Sequence, residues 1–250
     1  MVFSMTRHAF RFSSRLLMAA AVMCGIGSLA SGDDRQAAEL LPPSTLFYAE
    51  VASPAAILDT ILTHPLRTRV EDLEDYRKAT STKEYLGFQG ILLYVESRLG
   101  MSWRAAVEAL TANGVAVGVD PVTEGVAIIF HARDAETLDR LVSEAMQLAR
   151  EDAKRKSQPD PYESSEYRGF TVQRTKQGLF ATVGDRLLIV NKPELGQSII
   201  DRLLDQGTDS LATQPRFQAA QTPQVTGATG WAWVDVAVLR QARARRRQTV

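Results

Sequence analysis

A short apolar strand, a residue that stops it and an amphipathic helix recur along this chain. That unit restricts the fold, because a strand and a helix that follow one another so closely bury their apolar sides together. The first copy is Leu40 to Pro65, LLPPSTLFYAEVASPAAILDTILTHP. Within it Leu46, Phe47, Tyr48, Ala49 and Val51 form a β-prone run closed by Ser53-Pro54, where serine can cap a helix and proline suits its first turn. Ala55, Ile57, Leu58, Ile61 and Leu62 follow at near-helical spacing, so one side of that helix has to be covered. The unit returns as Val126 to Leu138, as Leu187 to Leu204 and, less completely, as Trp231 to Leu239. Unequal intervals argue against a solenoid of fixed period. The expected product is one sheet covered by helices.

The stretches between these copies are read from period and punctuation. Leu66 to Thr80 is a charged segment expected to form a short surface helix, and its Glu71, Asp72, Glu74 and Asp75 read as a solvated face. Thr82 to Leu99 places Tyr85, Phe88, Leu92, Val95 and Leu99 on one helical stripe, loosened by Gly87 and Gly90. Ser102 caps a further helix through Leu110, which Asn113-Gly114 ends. Val115 to Val119 and Val126 to Phe130 form a hairpin whose second strand, apolar throughout, is expected at the sheet centre, buried on both faces. Asp134 caps the longest helix, with Leu138, Leu141, Val142, Ala145, Leu148 and Ala149 as its stripe. Tyr167 to Thr175, Leu179 to Val183 and Arg186 to Val190 then alternate with period two and read as a meander. Leu211 to Val225 is polar and read as a loop, with one helical turn around Arg216 to Ala220. The fold class is therefore α+β: a mainly antiparallel sheet, meander plus hairpin, covered by amphipathic helices.

The ends carry a different message. Met1 to Arg15 holds Arg7, Arg11 and Arg15 with no acid, and Leu16 to Ala30 is an uncharged run too short to span a bilayer comfortably. Small residues at Ser28 and Ala30 complete a secretory signal cleaved before Ser31, so residues 1–30 are read as a signal peptide. Retention of that run as an N-terminal membrane anchor is the alternative. A lipoprotein reading through Cys24 fits less well, because bulky Met23 precedes it. Residues 31–40 read as a flexible lead-in, 41–239 as the α+β domain and 240–250 as a basic disordered tail. Cleavage would remove Cys24, the one cysteine, leaving no disulfide or thiolate chemistry. All 29 acidic residues follow Ala30, whereas three of the 29 basic ones precede it, so the remainder is three charges negative. Five arginines lie between Arg240 and Arg247, and without them residues 31–239 are eight charges negative. An acidic body is a poor nucleic-acid binder. The arginine tail itself would suit acidic polymers or anionic lipid if it binds anything.

Chemistry-bearing motifs are sparse. His64 and His131 are in no metal-ligand spacing, no serine sits in a nucleophile elbow, and Gly114 to Gly118 lacks the third glycine of a dinucleotide fingerprint. No catalytic residue, metal site or cofactor is assigned. His131 is the candidate anion or ligand residue, because it ends a strand just before a helix N-terminus, with Asp134 as its neighbouring carboxylate. Trp231 and Trp233 share one face of a strand, opposite Ala232 and Val234. That face packs a core if covered and is an interaction face if open.

Three pieces carry a family resemblance: Leu41-Pro42-Pro43-Ser44-Thr45-Leu46-Phe47-Tyr48, Tyr167-Arg168-Gly169, and Val183-Gly184-Asp185 with Leu187-Leu188-Ile189. With them, roughly Leu40 to Leu239 resembles a bacterial domain-of-unknown-function family of exported envelope proteins. The resemblance implies an exported location and an α+β fold, and it brings no catalytic residues. The expectation is a noncatalytic exported envelope protein, periplasmic or extracellular, with a structural or protein-interaction role and a protein partner in the envelope. Its alternatives are a ligand-binding or hydrolase-type protein with a cleft near His131, or a membrane-tethered subunit. The leader reading is directly testable. Intact-mass measurement of the exported protein should find a chain that starts within a few residues of Ser31, and a chain that retains Leu16 to Ala30 would establish the anchor instead.

Overall fold

The computed structural model describes residues 36–205, 209–221 and 228–240. The expected signal peptide and all but Arg240 of the expected tail lie outside these residues. In chain order the elements are α1 (Gln36–Leu40), β1 (Phe47–Val51), α2 (Pro54–Thr63), α3 (Leu66–Glu71), α4 (Glu74–Thr80), α5 (Lys83–Leu99) and α6 (Trp103–Leu110). The strands β2 (Val115–Asp120) and β3 (Gly125–His131) follow, then α7 (Ala135–Arg155). The meander is β4 (Glu163–Tyr167), β5 (Phe170–Arg174), β6 (Leu179–Val183) and β7 (Arg186–Val190). The chain continues through α8 (Pro193–Asp205), a 3-10 turn (Leu211–Thr213), α9 (Pro215–Ala220) and β8 (Gly230–Val234).

All eight strands form one sheet in the order β4-β5-β6-β7-β3-β2-β1-β8, and each neighbouring pair is antiparallel. The α+β class read from the sequence is the observed one. Register places Trp233, Tyr48, Gly118, Ala127, Val190 and Leu179 in a single row across the sheet. Because strand side chains alternate, this row and its second neighbours share one face. That face is the main core, where Leu40, Leu41, Leu195, Ile199, Leu211 and Phe217 from the covering segments pack on Tyr48, Ala127, Ile129 and Val190. The middle of the row is small for a reason. A Cβ on Gly118 would lie 2.6 Å from the Leu41 side chain, so glycine there is what lets the segment before β1 lie down on the sheet.

The opposite face is covered unevenly. Leu138 and Val142 of α7, with Leu110 of α6, pack against Phe130, Phe180 and Leu187. Val126 and Ile189 on the same face stay exposed. The central strand β3 is thus buried on one face and half-covered on the other, which corrects the expectation of burial on both.

Other expectations are corrected locally. The run from Tyr167 to Thr175 is not one strand, because Arg168 and Gly169 both take positive φ, 50° and 87°, and make the turn between β4 and β5. The end of the lead-in, Gln36–Leu40, is helical, with Ala38 and Leu40 buried in the core. Ser53 makes no side-chain cap to α2. Phe88 is exposed, although Tyr85, Leu92, Val95 and Leu99 on the same expected stripe are half-buried.

The repeated unit holds elsewhere. Asp134 caps α7, and Asp235 accepts from the Ala237 and Val238 amides to start residues 236–240 as a helical turn. In the α7 stripe Leu138 is fully buried and Leu141 nearly so, while Ala145 is exposed. Leu138→Ala should therefore cost about 2–5 kcal/mol in denaturant unfolding, the usual transfer-plus-cavity penalty. Ala145→Ser, on the solvent side, should stay within about 0.5 kcal/mol.

Candidate functional site

His131 ends β3 opposite Arg186, the first residue of β7. The tight turn that starts β7 brings Asp185 to it: Ala132 N–H donates to the Asp185 carbonyl at 2.9 Å, and His131 Nε2 lies 3.0 Å from Asp185 Oδ2. On β1 the same end of the sheet carries Glu50, opposite Ala116. The Tyr48 hydroxyl, fully buried, donates to Glu50 Oε2 at 2.6 Å. Gly114 and Ala116 are too small to fill the space between Glu50, His131 and Arg186, which leaves a void of about 10 Å³. That is room for one water. An acid, an imidazole and a guanidinium are thus gathered at one end of the sheet around this small space.

Asp134 is engaged elsewhere. Its Oδ1 accepts the Thr137 amide at 2.7 Å and its Oδ2 accepts the Thr137 hydroxyl at 3.0 Å. Those bonds, the amide first, hold the carboxyl below the usual carboxylate range. The expected His131 and Asp134 pair is therefore a helix cap beside an imidazole whose carboxylate partner is Asp185. Sequence reading missed Asp185 because it lies 54 residues from His131, in a hairpin turn. Only the strand order, with β7 beside β3, brings the two together.

Trp231 and Trp233 are half-buried and packed on Phe217 of α9, with ring centroids 5.3 and 5.2 Å away. Trp231 also meets Tyr48 at 5.4 Å. The tryptophan face is covered, so the core alternative describes it. Ala232 and Val234 on the other side are exposed.

A second polar cluster lies at the β4–β5 turn. Arg168 forks onto Asp205 through Nη1 and Nη2, both at 2.7 Å, and its Nη1 reaches Asp201 Oδ1 at 2.8 Å. The Tyr167 hydroxyl donates to Asp201 Oδ2 at 3.0 Å. Hydrogen bonding to Arg168 holds the Asp205 carboxyl below its usual range. Desolvation first, then Asp201, pushes the Tyr167 phenol up. An open cleft of about 500 Å³ runs over this cluster along α8, and a smaller apolar hollow of about 110 Å³ lies beneath, between α8 and β4 to β7. The arginine fork latches the hairpin tip to the helix, so the Tyr167-Arg168-Gly169 piece is structural in its effect. Among the described residues no group of three or more His, Cys, Asp or Glu side chains is placed to hold a metal ion, and no helix is long and apolar enough to cross a membrane.

Comparison with known proteins returns only distant likeness. Three solved structures, crystal forms III, IV and I of TP0453, are similar at 11%, 9% and 11% identity with TM-scores of 0.42, 0.40 and 0.42. They cover 79%, 79% and 82% of this chain and 62%, 63% and 64% of theirs, so the chain spans less than two thirds of the length of those structures. No family model and no curated protein matches the chain.

The Arg168 latch has a pH signature. Because the folded carboxyl of Asp205 titrates below its unfolded value, its stabilising contribution is present at neutral pH and is lost as pH falls through the folded value. Asp205→Asn should lower Tm by a few degrees at most at pH 7, as befits a solvent-exposed pair. The gap from the unsubstituted protein should close as the melts are taken below the usual carboxylate range.

Proposed function

We propose that the chain is a noncatalytic exported envelope protein that works through protein interaction. The observation that carries this reading is an insertion. β1 and β2 are antiparallel neighbours that a two-residue turn could join, yet residues 52–114, 63 in number, separate them. Only Ala109, Thr111 and Gly114 of those residues are buried. Apart from α6, whose Leu110 packs on the sheet, these helices add little to the core, and a segment kept outside the core supports a role at the surface. Its helices present large apolar side chains to solvent, Leu73, Phe88, Ile91 and Leu93 among them. Such surface supports a role in contact with another molecule.

The polar end of the sheet supports the same reading. A ligand-binding or hydrolytic role for His131 would need a pocket of roughly a few hundred Å³, whereas the void beside it is about 10 Å³. The exported location rests on the leader and on the family resemblance, and the acidic body disfavours nucleic acid as the partner. Affinity purification from the native envelope fraction tests the proposal. The chain should retain a protein partner, and His131→Ala should leave that capture within about twofold, because residues outside an interface contribute little to binding. An activity abolished by His131→Ala would overturn the noncatalytic reading.

A further inference from the structure

We propose that the outward side of α3 to α5 in this insertion is the contact between two copies of the chain. This rests on the interaction reading above and names its partner. Helix α5 is apolar on both sides. Tyr85, Leu92, Val95 and Leu99 are half-buried toward the body, where Arg98 pairs with Glu144 and Glu151 of α7, both at 3.2 Å. Tyr94 joins that cluster through its hydroxyl, which donates to Glu151 Oε2 at 3.3 Å, whereas Leu86, Ile91 and Leu93 are exposed, Ile91 and Leu93 to 63% and 65%. Exposed apolar surface of this extent ordinarily marks an interaction site. Something therefore covers this side.

Area and charge select a second copy. Eight large apolar residues of α3 to α5, from Leu66 to Leu93, are each more than a third exposed, and together they offer on the order of 800 Å², above the largest patch of a typical monomer and close to one partner's share of a stable interface. Residues 59–98 carry six basic and seven acidic side chains, whereas residues 31–239 are eight charges negative, so the acidic excess lies elsewhere. Most of the insertion's charges are already paired: Arg67 with Glu71, Arg77 with Asp72, Lys78 with Glu74, and Arg104 with Asp59. A two-fold contact sets like against like, so a near-neutral surface is where two acidic bodies repel least. A basic face, which anionic lipid would require, is not what these helices present. Gly87 and Gly90 also have nothing within 4 Å of where a Cβ would stand, which opens a furrow for the facing helix between the outward side chains.

The test compares the full chain with an Ile91→Glu, Leu93→Glu variant by sedimentation velocity, alongside Gly90→Cys in a Cys24→Ser background. The unsubstituted chain should sediment at twice the mass of a single chain. The double variant, with an unchanged circular dichroism spectrum, should be monomeric, its self-association weakened at least about 100-fold, as expected for charges placed inside an apolar contact. The Gly90→Cys chain should form a disulfide-linked dimer under mild oxidation. A dimer that survives the double variant overturns the proposal, since the contact then lies elsewhere. A monomeric chain overturns it too, and the interaction reading survives that result only if an envelope protein is captured through Ile91 and Leu93. If neither self-association nor capture depends on those residues, both readings fall.

Discussion

Tyr48 is the point on which the covered face of the sheet depends. It is fully buried near the start of β1, with its ring 5.4 Å from both Phe217 and Trp231. Phe217 in turn meets Trp233. Each such aromatic contact contributes about 0.5–1.5 kcal/mol beyond its buried area. Together they fasten the first strand to α9 and to the last strand of the described fold, segments separated by most of the chain. A buried tyrosine also needs a partner for its hydroxyl. Glu50 supplies it, two residues along the same strand and on the same face.

That requirement explains the polar end of the sheet without invoking chemistry. Glu50 is held as the tyrosine's acceptor, and His131 is tied to the turn that begins β7. Ala37 of α1 also lines the void, so the covering segment reaches this end of the sheet. A similar economy governs the edges of the fold: Ser44 donates to buried Asp120 at 2.7 Å, and Asp120 also accepts from Thr123 N–H and Oγ1 at 2.9 and 2.6 Å. The carboxylate closes the β2–β3 turn and anchors the segment that leads into β1.

How much of this was legible in the sequence depended on whether the signal was local. Helix starts at Thr82, Ser102 and Asp134 are visible because a side-chain oxygen and the amide that it captures lie three residues apart. The Trp231 and Trp233 face is visible because alternation is a property of one strand. What stayed hidden was set by partners far along the chain. Phe217 gives no hint in a polar segment that it is the lid on Tyr48, and Asp185 gives none that it meets His131. The Arg168-Gly169 turn was obscured because an arginine occupies a left-handed position that asparagine or aspartate more often takes, and its justification, the fork onto Asp201 and Asp205, lies over 30 residues away.

The insertion between β1 and β2 poses the remaining physical question, which is why the chain carries it. Closing a loop of 63 residues rather than two costs about 3 kcal/mol in chain entropy, so the added helices must recover at least that through contacts of their own. Their attachments gather at the C-terminal end. Ala109 is buried, Arg133 N–H donates to its carbonyl at 2.8 Å, Asn113 Nδ2 donates to the Ala132 carbonyl at 2.7 Å, and Arg98 reaches α7. Toward the N-terminal end the links are surface pairs within or between short helices, each worth little in water. The segment is therefore anchored by α6 and the end of α5, while α2 to α4 extend its apolar surface with scarcely any share of the core. A segment in that balance has more to gain from covering its outward side than the sheet gains from its presence, and that asymmetry is the physical footing of the association proposed above.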